Sequence, residues 1–428
     1  MNKAEINDTE HSLNAVPQSE RRGFSQLVFT WIGYVFTVTI MSAGGNIANG
    51  AADIWQCMAA IYTGYGILFL LSILVSYISQ KTGYSFGLLT RYSFGMYGSR
   101  VVSLFTTLTL LGWFSINCYL SGSVIHTLFP GIPQIPVSIL FGALYTFTAL
   151  KGQKIMNRLG SVATVLVLVV GIVAITCGIR DAGGLRILMS IRQEQTRSFN
   201  DLVTLAVGSV VCGVVGWVPD IMRFSKSHKT SLGVMAVGMG LAGPFMLVIG
   251  VIGMMVYSQY DIALILQEQG FLGFAFVGLI GNIWSTAQGN VYSSGLNLAS
   301  IFTKVSREKL IMIFGALGIL LGTFGLYQYF SSWLTFLATV FPPIGGVVIA
   351  NYLVVWKQDL PDVRTTAFPP LVGLSFVAFA GGVFSKYIIH VGLTTINALI
   401  ISFALEALFG VLCLNKQAEK IRSDAKGV

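Results

Sequence analysis

Gly281-Asn282-Ile283-Trp284-Ser285-Thr286 sits deep inside a long apolar segment of the chain. Asn282, Ser285 and Thr286 are spaced i, i+3, i+4, so on a helix they share one face. An amide and two hydroxyls on one stripe are costly in hydrocarbon unless each has a partner or a function. Neutral oxygens grouped in this way suit a small hard cation such as sodium. Interhelical hydrogen bonding is the plainer use of the same groups. The rest of the chain decides which solvent surrounds them.

The 428 residues are 54% hydrophobic and 10% charged, with a mean hydropathy of +0.75. A soluble protein carries roughly 25% charged residues, so composition implies an all-α polytopic membrane protein. A helix needs about 20 apolar residues to cross a bilayer. Twelve segments qualify, near 27–48, 55–79, 99–125, 134–150, 158–179, 201–219, 231–257, 270–302, 309–326, 328–355, 367–386 and 390–414. With both termini cytoplasmic, 21 Lys and Arg fall inside and 5 outside (Arg180, Arg186, Arg192, Arg197 and Lys386). The positive-inside rule demands such a bias. It accounts for the net charge of +9 without any nucleic-acid partner.

The organisation expected is a cytoplasmic tail (1–26), a ten-helix core (27–355) in two halves (about 27–179 and 201–355), two peripheral helices (356–414) and a cytoplasmic tail (415–428). No soluble domain fits in the loops. The tail before residue 27 holds no apolar run, so no cleaved signal is expected. The five cysteines form no CxxC or metal spacing and read as packed thiols. Segment one contains Gly33 and Gly44-Gly45; segment six contains Gly208, Gly213, Gly216 and Pro219. Glycine-rich interruptions in the first and sixth segments match two five-helix halves, although small residues also serve plain helix packing.

Other candidates lie inside the spans. Trp113 and Asn117 are i, i+4, placing an indole and an amide on one face, where they can stack on a flat ring and bond its edge. Gly208-Ser209 offers a place where unwound backbone meets a ligand. Asp220 and Arg223 read as an interfacial ion pair or gate, and Glu406 as a lone intramembrane acid outside the ten-helix core. Gly238-Met239-Gly240-Leu241-Ala242-Gly243 matches GxGxxG but lies in an apolar span, not between a strand and a helix, so it is read as packing. No HExxH, GxSxG or Walker lysine is present. An enzyme is not expected.

Several stretches carry a family resemblance: Val16-Pro17-Gln18-Ser19, Gly112-Trp113-Phe114, Asn282 to Thr286, Tyr292 to Leu296, Trp333 to Leu337 and Pro342 to Val347. In this order they resemble the nucleobase–cation symporter family of cytosine, purine, allantoin and hydantoin permeases, closest to its cytosine permease branch. The resemblance implies a leucine-transporter-type fold of two inverted five-helix repeats plus two peripheral helices. It implies sodium between the first and eighth segments, held by backbone carbonyls matching Gly33 and Phe36 and by Asn282, Ser285 and Thr286. It also implies a substrate ring stacked on Trp113, with Asn117 one turn away and groups at Gly208 and Ser209 of the sixth segment. The chain departs from the cytosine branch at Val210, where that branch has an aromatic, at Thr37, where it has Phe, and at Ala287-Gln288-Gly289, where it has Asn-Asp-Asn.

The expected function is sodium-driven import of a nucleobase or related planar heterocycle across a bacterial inner membrane by alternating access. Sodium is the expected coupling ion, with no organic cofactor. The expected partners are a small planar heterocycle and lipid, without an obligate protein partner. A proton-coupled permease for a hydantoin, allantoin or pyrimidine vitamin precursor, or a non-transporting receptor, stays open at this point.

Overall fold

The computed structural model describes residues 14–150, 153–302 and 304–426, without the side chains of 153–162, 300 and 424–426. Residues 1–13 and 427–428 of the expected tails, with Lys3, Lys151 and the side chains of Lys154, Arg158 and Lys426, lie outside the described residues.

The chain is almost wholly helical. α1 (Phe24–Val35) and α2 (Val38–Ala48) form one segment bent by 55°. They are followed by α3 (Ile54–Thr82) and α4 (Phe86–Leu128), the latter kinked at Gly95 with φ +82°. Next come α5 (Gln134–Leu150), α6 (Gln153–Asp181) and the one-turn α7 (Leu185–Leu188). α8 (Phe199–Gly208), a π turn at Gly213–Trp217 and α9 (Val218–Met222) make a second bent segment, at 42°. α10 (His228–Val237) runs through a π turn at Gly238–Ala242 into α11 (Gly243–Tyr257), and the short α12 (Ile262–Glu268) follows. The chain closes with α13 (Leu272–Ile301), α14 (Arg307–Thr323), α15 (Phe330–Ala350), α16 (Gly373–Ile388), α17 (Thr394–Phe409) and α18 (Asn415–Lys426).

Each of the twelve expected segments carries a helix. Among the described residues, six helical runs are long and apolar enough to cross a bilayer, or eight when each bent pair counts as one; α5 and α16 are apolar but shorter. α13 and α14 fall outside that set, the first diluted by its polar stripe and the second short at 17 residues with Arg307, Glu308 and Lys309 in its opening turn.

The first and sixth segments are broken as their glycines suggested; the sixth breaks between Gly208 and Gly213, but the glycines of the first are not where its break falls. Gly44 and Gly45 lie within α2. A methyl on Gly44 would meet the backbone of Leu247, and one on Gly45 would meet Tyr260. Gly250 of α11 backs in turn onto the Met41 carbonyl. The two helices touch backbone to backbone, as small residues permit in lipid. The break falls instead at Phe36 and Thr37. Gly238 and Gly243 of the GxGxxG run pack beneath Trp31 and Tyr65.

Both described chain ends share one face of the bundle. Val16 N–H donates to Gly83 O at 3.0 Å and Arg22 N–H to Phe224 O at 2.6 Å. Arg422 donates to Trp356 O at 2.8 Å, and the Trp356 indole to Tyr92 O at 3.3 Å. At this face the Asp220 carboxylate accepts the Phe86 N–H at 2.8 Å, while Arg223 Nε bonds the Asp220 backbone carbonyl at 3.2 Å. Asp220 thus ties the start of α4 to α9. Glu406 is fully buried, and its Oε1 accepts from Asn351 Nδ2 at 2.9 Å and Ser375 Oγ at 3.0 Å. That junction joins α16 and α17 to the end of α15.

Candidate functional site

Breaking a helix frees backbone groups that lipid cannot satisfy. At the α1–α2 break, α13 supplies the partners. Asn282 Nδ2 donates to Phe36 O at 2.7 Å, and Asn282 Oδ1 accepts Val38 N–H at 3.1 Å. One amide therefore bridges both sides of the gap with a donor and an acceptor. Thr37 N–H turns to Val35 O at 2.9 Å, so the Gly33 carbonyl loses its usual helical donor four residues on. Thr37 Oγ1 pairs with Thr39 Oγ1 at 2.9 Å.

The hydroxyls of the stripe sit one turn further along α13. Ser285 Oγ and Thr286 Oγ1 both donate to Asn282 O, at 3.0 and 2.9 Å. Each spends its proton on that carbonyl and keeps its oxygen lone pairs as acceptors. Ser285, Thr286, Gly289, Ser293 and Asn297 are only half-buried, and a side chain on Gly289 would meet nothing within 4 Å. This face of α13 is partly exposed from Ser285 toward the helix's C-terminal half, while Asn282 itself is buried. The donor set fits a hard cation: carbonyl oxygens of Gly33 and Phe36 and hydroxyls of Ser285 and Thr286 are all neutral oxygens. In this arrangement the Asn282 amide occupies the Phe36 carbonyl.

α4 faces the second break. The Trp113 indole N–H donates to Cys212 Sγ at 3.3 Å, between α8 and its π turn. Phe330 and Trp333 of α15 lie edge-on to Trp113, with centroids at 6.2 and 6.5 Å. Trp113 and Asn117 are 6% and 2% exposed, and Asn117 Nδ2 has no hydrogen-bond partner among the described residues. A buried amide nitrogen without an acceptor is a standing deficit that a bound polar ring edge removes. Ala287 is fully buried on α13 and adds no polar group.

Gly208 and Ser209 each contact a neighbouring helix. The face of Gly208 that a side chain would fill is taken by the Leu334 backbone of α15. Ser209 Oγ donates to Ala206 O at 2.7 Å and pairs with Tyr65 Oη at 3.2 Å. Both residues hold α8 against its neighbours. Cys212 and Phe330 were not singled out in the sequence, because a thiol and a phenyl ring in an apolar span carry no signal of their own. Trp333 stood only in a family stretch. A crevice of about 460 Å³ lined by Ile32, Phe36, Tyr62, Leu241 and Phe245 opens beside the α1 break. Its walls are apolar, and Leu241 and Tyr62 are exposed, so it borders lipid.

Two bent segments, one bridged across its gap by Asn282 of α13 and the other met by Trp113 of α4, form the pattern of broken helices that membrane transporters present. The chain belongs to the family of permeases for cytosine/purines, uracil, thiamine and allantoin, whose model matches residues 15–412. It is 30% identical over 394 residues to the cytosine permease of Escherichia coli strain K12, covering 92% of each chain. An inward-facing structure of Mhp1 superposes with a TM-score of 0.84 at 20% identity, over 99% of this chain and 97% of that one. A closed, bromovinylhydantoin-bound structure of Mhp1, a nucleobase-cation-symport-1 family transporter, superposes at 0.77 and 19% identity, over 97% and 99%. The fold is of the leucine-transporter type. The protein is a multi-pass permease, not an enzyme.

Proposed function

We propose that this permease imports a neutral nucleobase or related planar heterocycle, driven by sodium. The observation that carries the reading is Asn282 bridging the α1 break, with two hydroxyls on the next turn of the same helix. Sodium would take the oxygens of Gly33, Phe36, Ser285 and Thr286, and its charge would supply what the Asn282 amide supplies here. Binding there joins α1–α2 to α13, so ion and substrate favour the same arrangement of the two halves. The ring would stack on Trp113, with Asn117 on its edge.

The proposed substrate is uncharged. Among the described residues, no hydrogen bond or ring contact of Trp113, Asn117 or Asn282 reaches a charged side chain. An ionised ring would enter a low-dielectric site without a counter-charge, which is costly. Cytosine is the first candidate, from the bacterial relative. Val210 and Thr37 in place of aromatic residues, and Ala287 in place of an amide, would leave more room and one amide fewer than the cytosine branch, which suits a larger base. The basic chain-end face would be cytoplasmic, in a bacterial inner membrane. The halves 27–179 and 201–355 would move against each other, with 356–414 peripheral.

The test is a thermal-shift screen of the purified protein with cytosine, purines, hydantoins and allantoin, each in sodium and in choline buffer. A ring that stabilises only with sodium is the expected result. A ring that stabilises equally in both buffers would remove sodium from the reading.

A further inference from the structure

The loop before α8 is strapped along the end of α2. Gln193 N–H donates to Ala52 O at 2.9 Å, and its side-chain amide donates to Ala51 O at 2.9 Å and also to Ala48 O. Thr196 and Arg197 N–H both donate to Gly50 O, at 3.2 and 3.1 Å. The Arg197 stem lies over Gly50, where any side chain would displace it. All these contacts stay between the loop and α2. Arg197 Nη1 adds one more, donating to Asn46 O at 2.9 Å.

Two contacts cross to α15. Arg197 Nη2 donates to Ser331 Oγ at 3.2 Å, and Ser331 Oγ donates to Asn46 Oδ1 at 2.7 Å. Ser331 follows Phe330 and precedes Trp333 by two positions, and those are the two rings set edge-on to Trp113. The crossing contacts therefore pin the first turn of α15 over Trp113, at the end of the bundle away from the chain termini. The chemistry suits a reversible contact. Arg192, on the same loop, is ion-paired with Asp53, whereas among the described residues the Arg197 side chain bonds only neutral oxygens. A guanidinium on neutral oxygens is held less tightly than one on a carboxylate.

We infer that Arg197, with Asn46 and Ser331, is the latch of the outer gate. It holds α15 closed over the Trp113 site in this arrangement and releases when α15 swings away to admit substrate from outside. Arg197 acts as a positioning residue through Phe330 and Trp333. The inference rests on Trp113 as the site centre and on the chain-end face being cytoplasmic.

The test uses Cys212, which the Trp113 indole touches, as a reporter. With Cys57, Cys118, Cys177 and Cys413 replaced by Ala, its reaction with a membrane-impermeant cationic methanethiosulfonate is timed in right-side-out and inside-out vesicles. Arg197→Gln and Ser331→Ala should each speed labelling from outside on the order of tenfold and slow it from inside. The double variant should do no more than either single one, because both remove the same latch. Arg197→Lys, which loses the two-pronged fork, should fall between. Unchanged outside rates in both single variants overturn the latch. So does faster labelling from both sides, which reports general loosening. If Cys212 labels in no variant, a reporter thiol at Phe330→Cys takes its place under the same two outcomes. Labelling requires no substrate, so failure here is separate from failure of the ring assignment, which Trp113→Ala tests.

Discussion

Removing the Asn282 side chain asks whether α13 holds the broken first segment together. Asn282→Ala deletes two hydrogen bonds, at 2.7 Å to Phe36 O and 3.1 Å to Val38 N–H. Both backbone groups belong to residues at most 6% exposed. A buried polar group left unpaired costs about 1–3 kcal/mol, so the two together predict a loss of about 2–6 kcal/mol. The lower half of that range applies if water reaches the gap past the half-buried Ser285 and Thr286. Asn282→Asp is the sharper variant. One carboxylate oxygen still accepts Val38 N–H, but the other now faces the Phe36 carbonyl without a proton between them. A cation bound between these oxygens would relieve the repulsion. Sodium at about 100 times its dissociation constant would then add about 2.7 kcal/mol of stability. The assay is thermal unfolding of both variants and the parent over a sodium series with choline balancing ionic strength. Asn282→Ala should melt lower at every sodium concentration, and Asn282→Asp should melt low without sodium and recover with it. Parental melting of Asn282→Ala would refute the bridge. An Asn282→Asp protein indifferent to sodium would refute the cation's place beside Phe36.

Thr286→Ala removes one proposed sodium oxygen and should raise the sodium concentration needed for half-maximal uptake; an unchanged sodium dependence counts against the site. Trp113→Ala should abolish measurable uptake. Stacking on an aromatic ring is worth about 1–3 kcal/mol, about 5- to 150-fold in affinity, and a ligand dissociation constant equal to the parent's would remove the stacking claim. Gly208→Val should destabilise by about 1–3 kcal/mol through collision with the Leu334 backbone; if it instead changed only substrate selectivity, Gly208 would be a pocket residue after all. Glu406→Gln keeps an acceptor for Asn351 and Ser375 and should transport normally, whereas Glu406→Leu should melt lower with sodium dependence intact. Sodium dependence altered in Glu406→Gln would give this carboxyl a coupling role.

The helical segments were legible because a bilayer imposes one crude demand, about 20 apolar residues per crossing, and hydropathy reports it directly. The polar stripe was legible because helical periodicity places Asn282, Ser285 and Thr286 on one face wherever the helix lies. The glycines were read less well. They pointed to the bent segments, yet Gly44, Gly45 and Gly208 serve close packing, and the first break falls at Phe36 and Thr37. Composition cannot separate these uses, since a missing side chain permits both a bend and a close approach.

Sequence alone therefore determined the solvent, the helical class and which residue types had to find partners, because those follow from local spacing and transfer free energy. It also named Glu406 as an acid in need of one. Only the tertiary structure decided who the partners are. Asn282 meets Phe36 across 246 residues of chain, Glu406 meets Asn351 and Ser375 on separate helices, and Arg197 reaches Ser331 across 134. A polar group in lipid must be satisfied, but any of several helices can satisfy it. The choice is made by which backbones pack closely enough to bring donor and acceptor within hydrogen-bond reach.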